Sequence, residues 1–578
     1  MSRTAGSATT SPMVERLGRW DIVAVTGLIL LAVGIPLSLA VVAGAVGLPS
    51  NDDWVYAQAA RSLFDTGRVD MAGHTTAFIG QLFLVQPFLR LSGGDPWAFT
   101  AFGLVMAAIG IACTYLLARR FLWIGSATFV VLLVIAFPGF LRSAASFMTD
   151  VPAYAFVMLC LLLGTRWLQG DGGRVTLLAS LGAGLLAFSI REFAVAAPLA
   201  IIVAAWARNR PQERVWLAGV SILLAAGLAG VLYLSSSVSG HGGPATLKLG
   251  GLVVLGPAFA TLAAVVLPAT LLYLGRRMPT ISREQILVGV ALVCFVVFDP
   301  KGPLLGNLWT EFGYAGNSVL VGGRPSLLGA TAWALSRQIA VFAAILAAVA
   351  ALSWGQRSTA GVSSVSTAGS RALQIASSRE GVLVLFLLGY AAELVLFSLL
   401  GGLFDRYLYP MVPVAAILLL RRSAQPVGLG RPVRLGRSDA FAHGAFAWLM
   451  ASALILAANS FAYDAARQRE GEAAVALGYA ANTIDAGYEW VGSHAIGPQG
   501  TNDDPGLLTW WEALWPTFRP CAILSNAPLD HPGYELIRVN RSAYRQFLVF
   551  GRDRPLYLYG AHRDGCPTPR PVAPTSGG

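Results

Sequence analysis

Apolar stretches of about 20 residues recur along this chain, and each is long enough to cross a hydrocarbon core of ~30 Å as a helix. Backbone groups cannot stay unpaired in lipid, and the stretches do not alternate in polarity as barrel strands would, so they must be helical. Composition agrees: 55% of the 578 residues are hydrophobic and 12% are charged, against roughly a quarter charged in a soluble domain. The chain reads as a polytopic α-helical membrane protein.

The first span, Asp21 to Leu48, is longer than a signal-peptide core and reads as a retained first helix. Further spans are expected from Trp97 to Leu117, Leu122 to Phe137, Val151 to Leu168, Val175 to Ile190, Phe193 to Ala207 and Val215 to Leu234. The series continues with Gly251 to Leu274, Gln285 to Phe298, Leu328 to Trp354, Gly381 to Leu400, Tyr407 to Leu420 and Phe441 to Phe461. The total is about thirteen spans. With the N-terminus cytoplasmic, the inside connections hold Arg119 and Arg120, Arg166 and Arg174, then Arg208, Arg210 and Arg214. Arg276, Arg277 and Arg283, then Arg357, Arg371 and Arg379, and the Arg421 to Arg437 loop follow on the same side, as the positive-inside rule requires. The net charge of +11 is thus explained by topology facing anionic lipid, and no nucleic acid is implied.

An odd number of spans places residues 462–578 outside the membrane, where composition turns charged, proline-bearing and aromatic. A helical AAVALGYAANTIDAG followed by strand-like CAILSNAP, YELIRVN, RQFLVF and PLYLYG predicts a small extracytoplasmic α/β domain behind a membrane domain of residues 1–461. Cys113, Cys160 and Cys294 fall within spans as packing residues, while Cys521 and Cys566 share the outer domain, whose compartment permits a disulfide. No Walker-type loop, nucleophile elbow or metal-ligand spacing is present in the sequence.

The first outer loop, residues 49–96, opens on Asp52 and Asp53. Charge at the mouth of a span is costly unless it is solvated or used, which marks the pair as a candidate site. The plain alternative is capping, with Ser50 or Asn51 as N-cap and both acids in the first turn of a short helix that sets Tyr56 one turn from Asp52. A second outward acid, Asp150, stands beside Thr149 and Pro152 at the start of the fourth span, where capping is again the simple reading.

Three segments, in order and in topology, resemble the GT-C glycosyltransferases, specifically the family 39-like branch of protein O-mannosyltransferases and lipid A aminoarabinose transferases. They are D-D-x-x-Y-x-x-x-A-R (Asp52, Asp53, Tyr56, Ala60, Arg61), T-D-x-P (Thr149, Asp150, Pro152) and R-Y-x-x-P-x-x-P (Arg406, Tyr407, Pro410, Pro413). The family's plan of about thirteen spans followed by a small extracytoplasmic domain matches the whole chain. Where many relatives carry H/N-P-P in the first outer loop, this chain reads GHTTAFIGQLFL, so no family role passes to His74.

The resemblance implies transfer of a sugar from a polyprenyl-phosphate donor to an acceptor hydroxyl on the extracytoplasmic face. Chemistry there agrees, because nucleotide sugars are cytoplasmic and the acids face outward. Asp52 is expected as general base, with Asp53 and Asp150 assisting. Arg61, Arg191 and Arg406, with Arg324 and Lys301, are candidate partners for the lipid phosphate, because a guanidinium fork matches phosphate oxygens. Arg191 and Arg406 have simpler readings as local pairs with Glu192 and Asp405. Tyr56 and Tyr407 belong to the same motifs, and Trp309 and Glu311 lie in a long outer loop suited to covering a substrate. No cofactor is expected to be required, with a divalent metal on the carboxylates and His74 as the alternative. The acceptor class (protein, glycolipid or polysaccharide) is open. The near absence of lysine, with Lys248 and Lys301 the only two, suggests a GC-rich bacterium and its plasma membrane. The rival functions are a transporter or lipid flippase, to which Glu393 within a span would belong, and a non-catalytic envelope-assembly relative.

Overall fold

The structure is a computed structural model. It describes residues 18–69, 79–208, 213–239, 248–276, 302–313, 320–359, 368–400, 402–423, 437–497, 507–547 and 552–568, with a few isolated positions besides. The span expected at Gln285 to Phe298, His74 and Lys301 lie outside the continuously described residues.

The helices are, in order, α1 (Arg19–Ala43), α2 (Asp53–Thr66), α3 (Ile79–Ser92), α4 (Trp97–Arg119), α5 (Ile124–Ile135), α6 (Phe140–Ala144), α7 (Asp150–Leu168), α8 (Arg174–Phe188) and α9 (Ala196–Ala207). They continue as α10 (Arg214–Ser239), α11 (Leu255–Arg276), α12 (Ala330–Thr359), α13 (Ala368–Ser377), α14 (Gly381–Leu400), α15 (Met411–Ser423), α16 (Arg437–Ala476) and α17 (Tyr488–His494). Twelve of the expected spans coincide with helices of this series. Among the described residues eight helices are long and apolar enough to cross a membrane, and four shorter apolar ones occupy the stretches at 124–135, 174–188, 192–207 and 411–421. The molecule is a polytopic helical protein carrying a small C-terminal sheet.

The inner helices are close-packed. Gly110 of α4 lies against Tyr154 of α7, and Gly164 of α7 against Ile201 of α9, contacts that an added Cβ would obstruct. Leu30 and Val42 on α1, and Val215 and Tyr233 on α10, point outward, as lipid-facing positions do. Cys113 and Cys160 are buried, as packing residues are, whereas Cys294 is exposed.

α16 runs unbroken for 40 residues, through residue 461, and delivers the chain into the C-terminal domain. There the helical run expected after Ala473 stops at Ala476 and gives way to a 3₁₀ turn (Ala481–Thr483) and strand β1 (Ile484–Asp485). Strands β2 (Ala522–Ser525), β3 (Tyr534–Arg545) and β4 (Asp553–Ala561) complete a four-stranded sheet of order β1-β2-β4-β3. β1 runs parallel to β2, and the other pairs are antiparallel. Cys521, at the start of β2, is disulfide-bonded to Cys566 just beyond β4. α17 lies on α2, with Trp54 and Val55 of α2 buried among Tyr488, Val491, Trp511, Trp515 and Phe518. The C-terminal domain therefore rests on the loop that carries the acidic pair.

Candidate active site

The two acids of the pair part company at once. α2 begins at Asp53, not at Ser50 or Asn51, and the Asp53 carboxylate turns back to accept the Ser50 backbone N–H. Its other oxygen accepts the Phe147 N–H at 3.4 Å. Asp53 is buried, and that burial raises its carboxyl well above the usual range, against the opposing pull of Arg142 and the Ser50 N–H. Asp53 thus ties the approach to α2 to the turn around Phe147 and caps no helix N–H. Asp52 keeps about a third of its side chain open (35%). Its carboxylate accepts hydrogen bonds from the Asn51 amide at 2.9 Å and from the Tyr488 hydroxyl of the outer domain at 3.3 Å. Asn51, which bends the chain into the helix, has a φ of 57°; asparagine is among the few residues that tolerate that left-handed conformation. Its backbone N–H is held by Glu489 at 2.8 Å.

Asp150 does not cap α7, since its carboxylate makes no hydrogen bond to the helix backbone. It lies 3.4 Å from Nη2 of Arg191 and 3.3 Å from Nε of Arg406, all three buried. Arg406 also approaches Asp52 at 3.7 Å and donates to the Asn307 amide oxygen at 2.9 Å. The Tyr407 ring lies under Arg191 at 5.0 Å, a cation–π distance. Tyr56, one turn into α2, is buried, and its hydroxyl pKa is pushed up to about 12, so it remains a neutral phenol. Burial opposes charge on Arg191, yet Tyr407, Asp150 and Tyr56 hold its guanidinium well above the ordinary value. Asp52, Tyr56, Asp150, Arg191, Arg406 and Tyr407 thus meet from four separate stretches of chain.

Other expected residues stand elsewhere. Asp405 does not pair with the Arg406 side chain; its carboxylate accepts the backbone N–H groups of Asn307, Leu308, Trp309 and Arg406 at 2.6–3.2 Å, folding the outer loop onto the motif. That nest buries Trp309 completely, so its ring forms part of the support and not a lid. Glu311 turns away, its carboxylate taking the Ser326 hydroxyl at 2.7 Å and its carbonyl the N–H groups of Leu327 and Leu328. Arg61 is exposed on α2, over the Phe99 ring at 5.8 Å. Arg324 lies over Phe312 at 5.6 Å. No group of three or more metal-ligating side chains occurs among the described residues.

Sequence reasoning passed over a second set of buried charges. Arg142 of α6 reaches Asp464 of α16 at 2.7 Å, Arg467 reaches Asp464 and Glu489 at 2.8 Å each, and Glu489 holds Asn51. The spacing of Asp464 and Arg467, three apart on one helix, was the one local signal for it.

Residues 79–239 match the family model of the dolichyl-phosphate-mannose-protein mannosyltransferases. The matched stretch contains Asp150 and Arg191, while the acidic pair and Arg406 lie outside it. Among solved structures, ArnT from Cupriavidus metallidurans in the apo state is 15% identical over 92% of this chain and 98% of that one, with a TM-score of 0.40. The archaeal oligosaccharyltransferase AglB from Archaeoglobus fulgidus, in complex with an inhibitory peptide and a dolichol-phosphate, is 15% identical over 86% of this chain and 63% of that one (TM-score 0.40). The arabinosyltransferase EmbB from Mycobacterium smegmatis is 14% identical over 91% of this chain and 47% of that one (TM-score 0.30). No curated protein matches the chain.

Proposed function

We propose that the chain is an integral-membrane glycosyltransferase that moves a sugar from a polyprenyl-phosphate donor to an acceptor hydroxyl on the extracytoplasmic face. The observation that carries the reading is the meeting of one part-open carboxylate, Asp52, with two buried arginines tethered by Asp150. The acceptor O–H gives its proton to Asp52 as its oxygen bonds to the anomeric carbon. The bond from that carbon to the phosphate oxygen breaks, and its electron pair leaves on the lipid phosphate. Arg191 and Arg406 meet the charge that develops there. Asp150 holds the two guanidinium groups in place, and Tyr56 and Tyr407 line the same space. The reaction requires no cofactor, and a divalent ion at the carboxylates is the alternative.

The contacts of the arginines support this assignment. Those with the acids, at 3.3–3.7 Å, are longer than the ~2.7–2.9 Å of a charge-assisted hydrogen bond. Asn307 helps to position Arg406, while both guanidinium groups are held only loosely by the acids, as suits groups that must close on a phosphate. The arginine-rich connections support a cytoplasmic N-terminus and an extracytoplasmic sheet domain in a bacterial plasma membrane.

The test is turnover by the full chain in nanodiscs, offered a panel of polyprenyl-phosphate sugars. Free polyprenyl phosphate is followed for the wild type and for Asp52→Asn. Turnover that collapses in the variant establishes the transferase and its base. Turnover that is equal in both removes Asp52 from the role.

A further inference from the structure

The outer domain reaches the general base, and it does so through aromatic rings. Tyr488 donates its hydroxyl to Asp52, and its ring packs against Trp510 with centroids 4.9 Å apart and planes tilted by 38°. Trp510 differs from its neighbours in one respect. Trp54, Tyr488, Trp511, Trp515 and Phe518 are all buried, whereas Trp510 is 51% exposed. A large apolar ring left in water forgoes the stabilisation that burial would give.

The ring is also held firmly. Asp485 of β1 accepts the Thr509 hydroxyl at 3.3 Å and the Trp511 indole N–H at 3.2 Å, so both residues flanking Trp510 are tied to one buried carboxylate. Glu512 lies 2.9 Å from the same Thr509 hydroxyl oxygen, which the two carboxyl groups share. A rigid exposed ring one phenol away from a part-open carboxylate has the makings of a binding subsite: an apolar surface with few, well-placed polar groups.

Resting on the transferase reading above, we infer that the acceptor is a carbohydrate, with a sugar ring stacked on Trp510 and its hydroxyl presented to Asp52. The C–H face of a pyranose or furanose is the electropositive surface that the negative face of an indole attracts, and its rim of hydroxyls suits the part-open Asp52 carboxylate. A serine or threonine side chain of a protein acceptor offers no such face. Tyr488 is the link, because it touches both the ring that stacks and the carboxylate that takes the proton. The outer domain is on this view the acceptor half of the active site.

The experiment is binding, measured apart from turnover. The full chain in nanodiscs is offered arabino-, galacto-, manno- and gluco-oligosaccharides and a Ser/Thr-rich peptide, and saturation-transfer difference NMR is read for the wild type, Trp510→Ala and Trp510→Phe. At least one oligosaccharide is expected to saturate and the peptide not to. Trp510→Ala should bind about tenfold more weakly, and Trp510→Phe, which keeps a π face, should recover part of the loss. Binding of the peptide, or oligosaccharide signals equal in wild type and Trp510→Ala, overturns the inference, as does the absence of any oligosaccharide signal. Donor turnover separates the two readings. Turnover without Trp510-dependent binding removes only the carbohydrate acceptor, whereas Trp510-dependent binding without turnover of any donor leaves a glycan site and removes the transferase.

Discussion

Two groups of buried charge lie close together beside the C-terminal domain, and they are built differently. In the Arg142–Asp464–Arg467–Glu489 chain, acid and base alternate, every side chain is no more than 6% exposed, and contacts are 2.7–2.8 Å. In the Asp52–Arg406–Asp150–Arg191 group the contacts stretch to 3.3–3.7 Å and one member, Asp52, opens to solvent. The first is a closed fastening between membrane helices, the first outer loop and the outer domain. The second is a preorganised but unfinished set of interactions. Contact length and access, not the number of charges, distinguish structure from site here.

The sharpest way to break this comparison is Asp52→Asn. Loss of the base should reduce turnover by about 10²–10⁴-fold while leaving thermal unfolding in nanodiscs nearly unchanged. Asp53→Asn, which alters the buried tie to the Ser50 and Phe147 backbone, should change stability more than turnover. If Asp53→Asn instead abolished turnover in a folded chain, the division of labour within the pair would be wrong.

The closed chain should answer in the opposite currency. Arg467→Met leaves Asp464 and Glu489 buried with fewer cationic partners, which costs about 3–5 kcal/mol when a buried pair is broken. A large fall in the unfolding temperature is therefore expected, with turnover lost in proportion to the folded fraction. A variant as stable as wild type but inactive would move Arg467 from the fastening into the site.

Arg406→Lys asks for less. Lysine keeps the charge and gives up the planar fork, so donor use should weaken by about tenfold with stability little altered. The rise should fall on KM for the donor lipid, because the guanidinium is assigned to its phosphate. An effect confined to KM for the acceptor would place Arg406 on the wrong substrate.

The sequence made one of these two groups legible and concealed the other. Asp52, Asp150 and Arg406 each sit in a short motif at the outer end of a hydrophobic stretch, so hydropathy and arginine placement alone predicted that they face one compartment. Arg142 and Asp464 are 322 positions apart, and Asn51 and Glu489 are 438 apart, with neither partner in a motif. Such pairs are set by how α6, α16 and α17 converge, which no local spacing encodes. Neighbours in sequence misled for the same reason. Asp405 and Arg406 read as a pair, but the carboxylate had four backbone N–H groups to satisfy and the guanidinium had two other acids. The loop of Trp309 and Glu311 was long enough either to cover a substrate or to pack on its neighbours, and that nest of backbone bonds draws it inward. The sheet was legible in three of its four strands, and β1, two residues long, was too short to announce itself.

Asp485 supplies a third kind of buried charge against which to set the other two. Its carboxylate takes hydrogen bonds from the neutral Gly487 N–H, the Thr509 hydroxyl and the Trp511 indole. Burial, with Glu512 close by, pushes its pKa up to about 7. An unfolded chain would lose that proton near pH ~4, so from there to about pH 7 the folded chain holds a proton that the unfolded chain has released. Stability must then fall as pH rises through that window and level off above it. This is the reverse of the behaviour of a salt-bridged acid, whose contribution is lost on acidification. Asp485→Asn should flatten the slope, which unfolding temperatures recorded at intervals from pH 4 to pH 8 would reveal as a small difference growing toward neutrality. A wild-type profile without that slope would mean that Asp485 is ionised throughout, and the Thr509–Trp510–Trp511 turn would then be held by a full carboxylate charge.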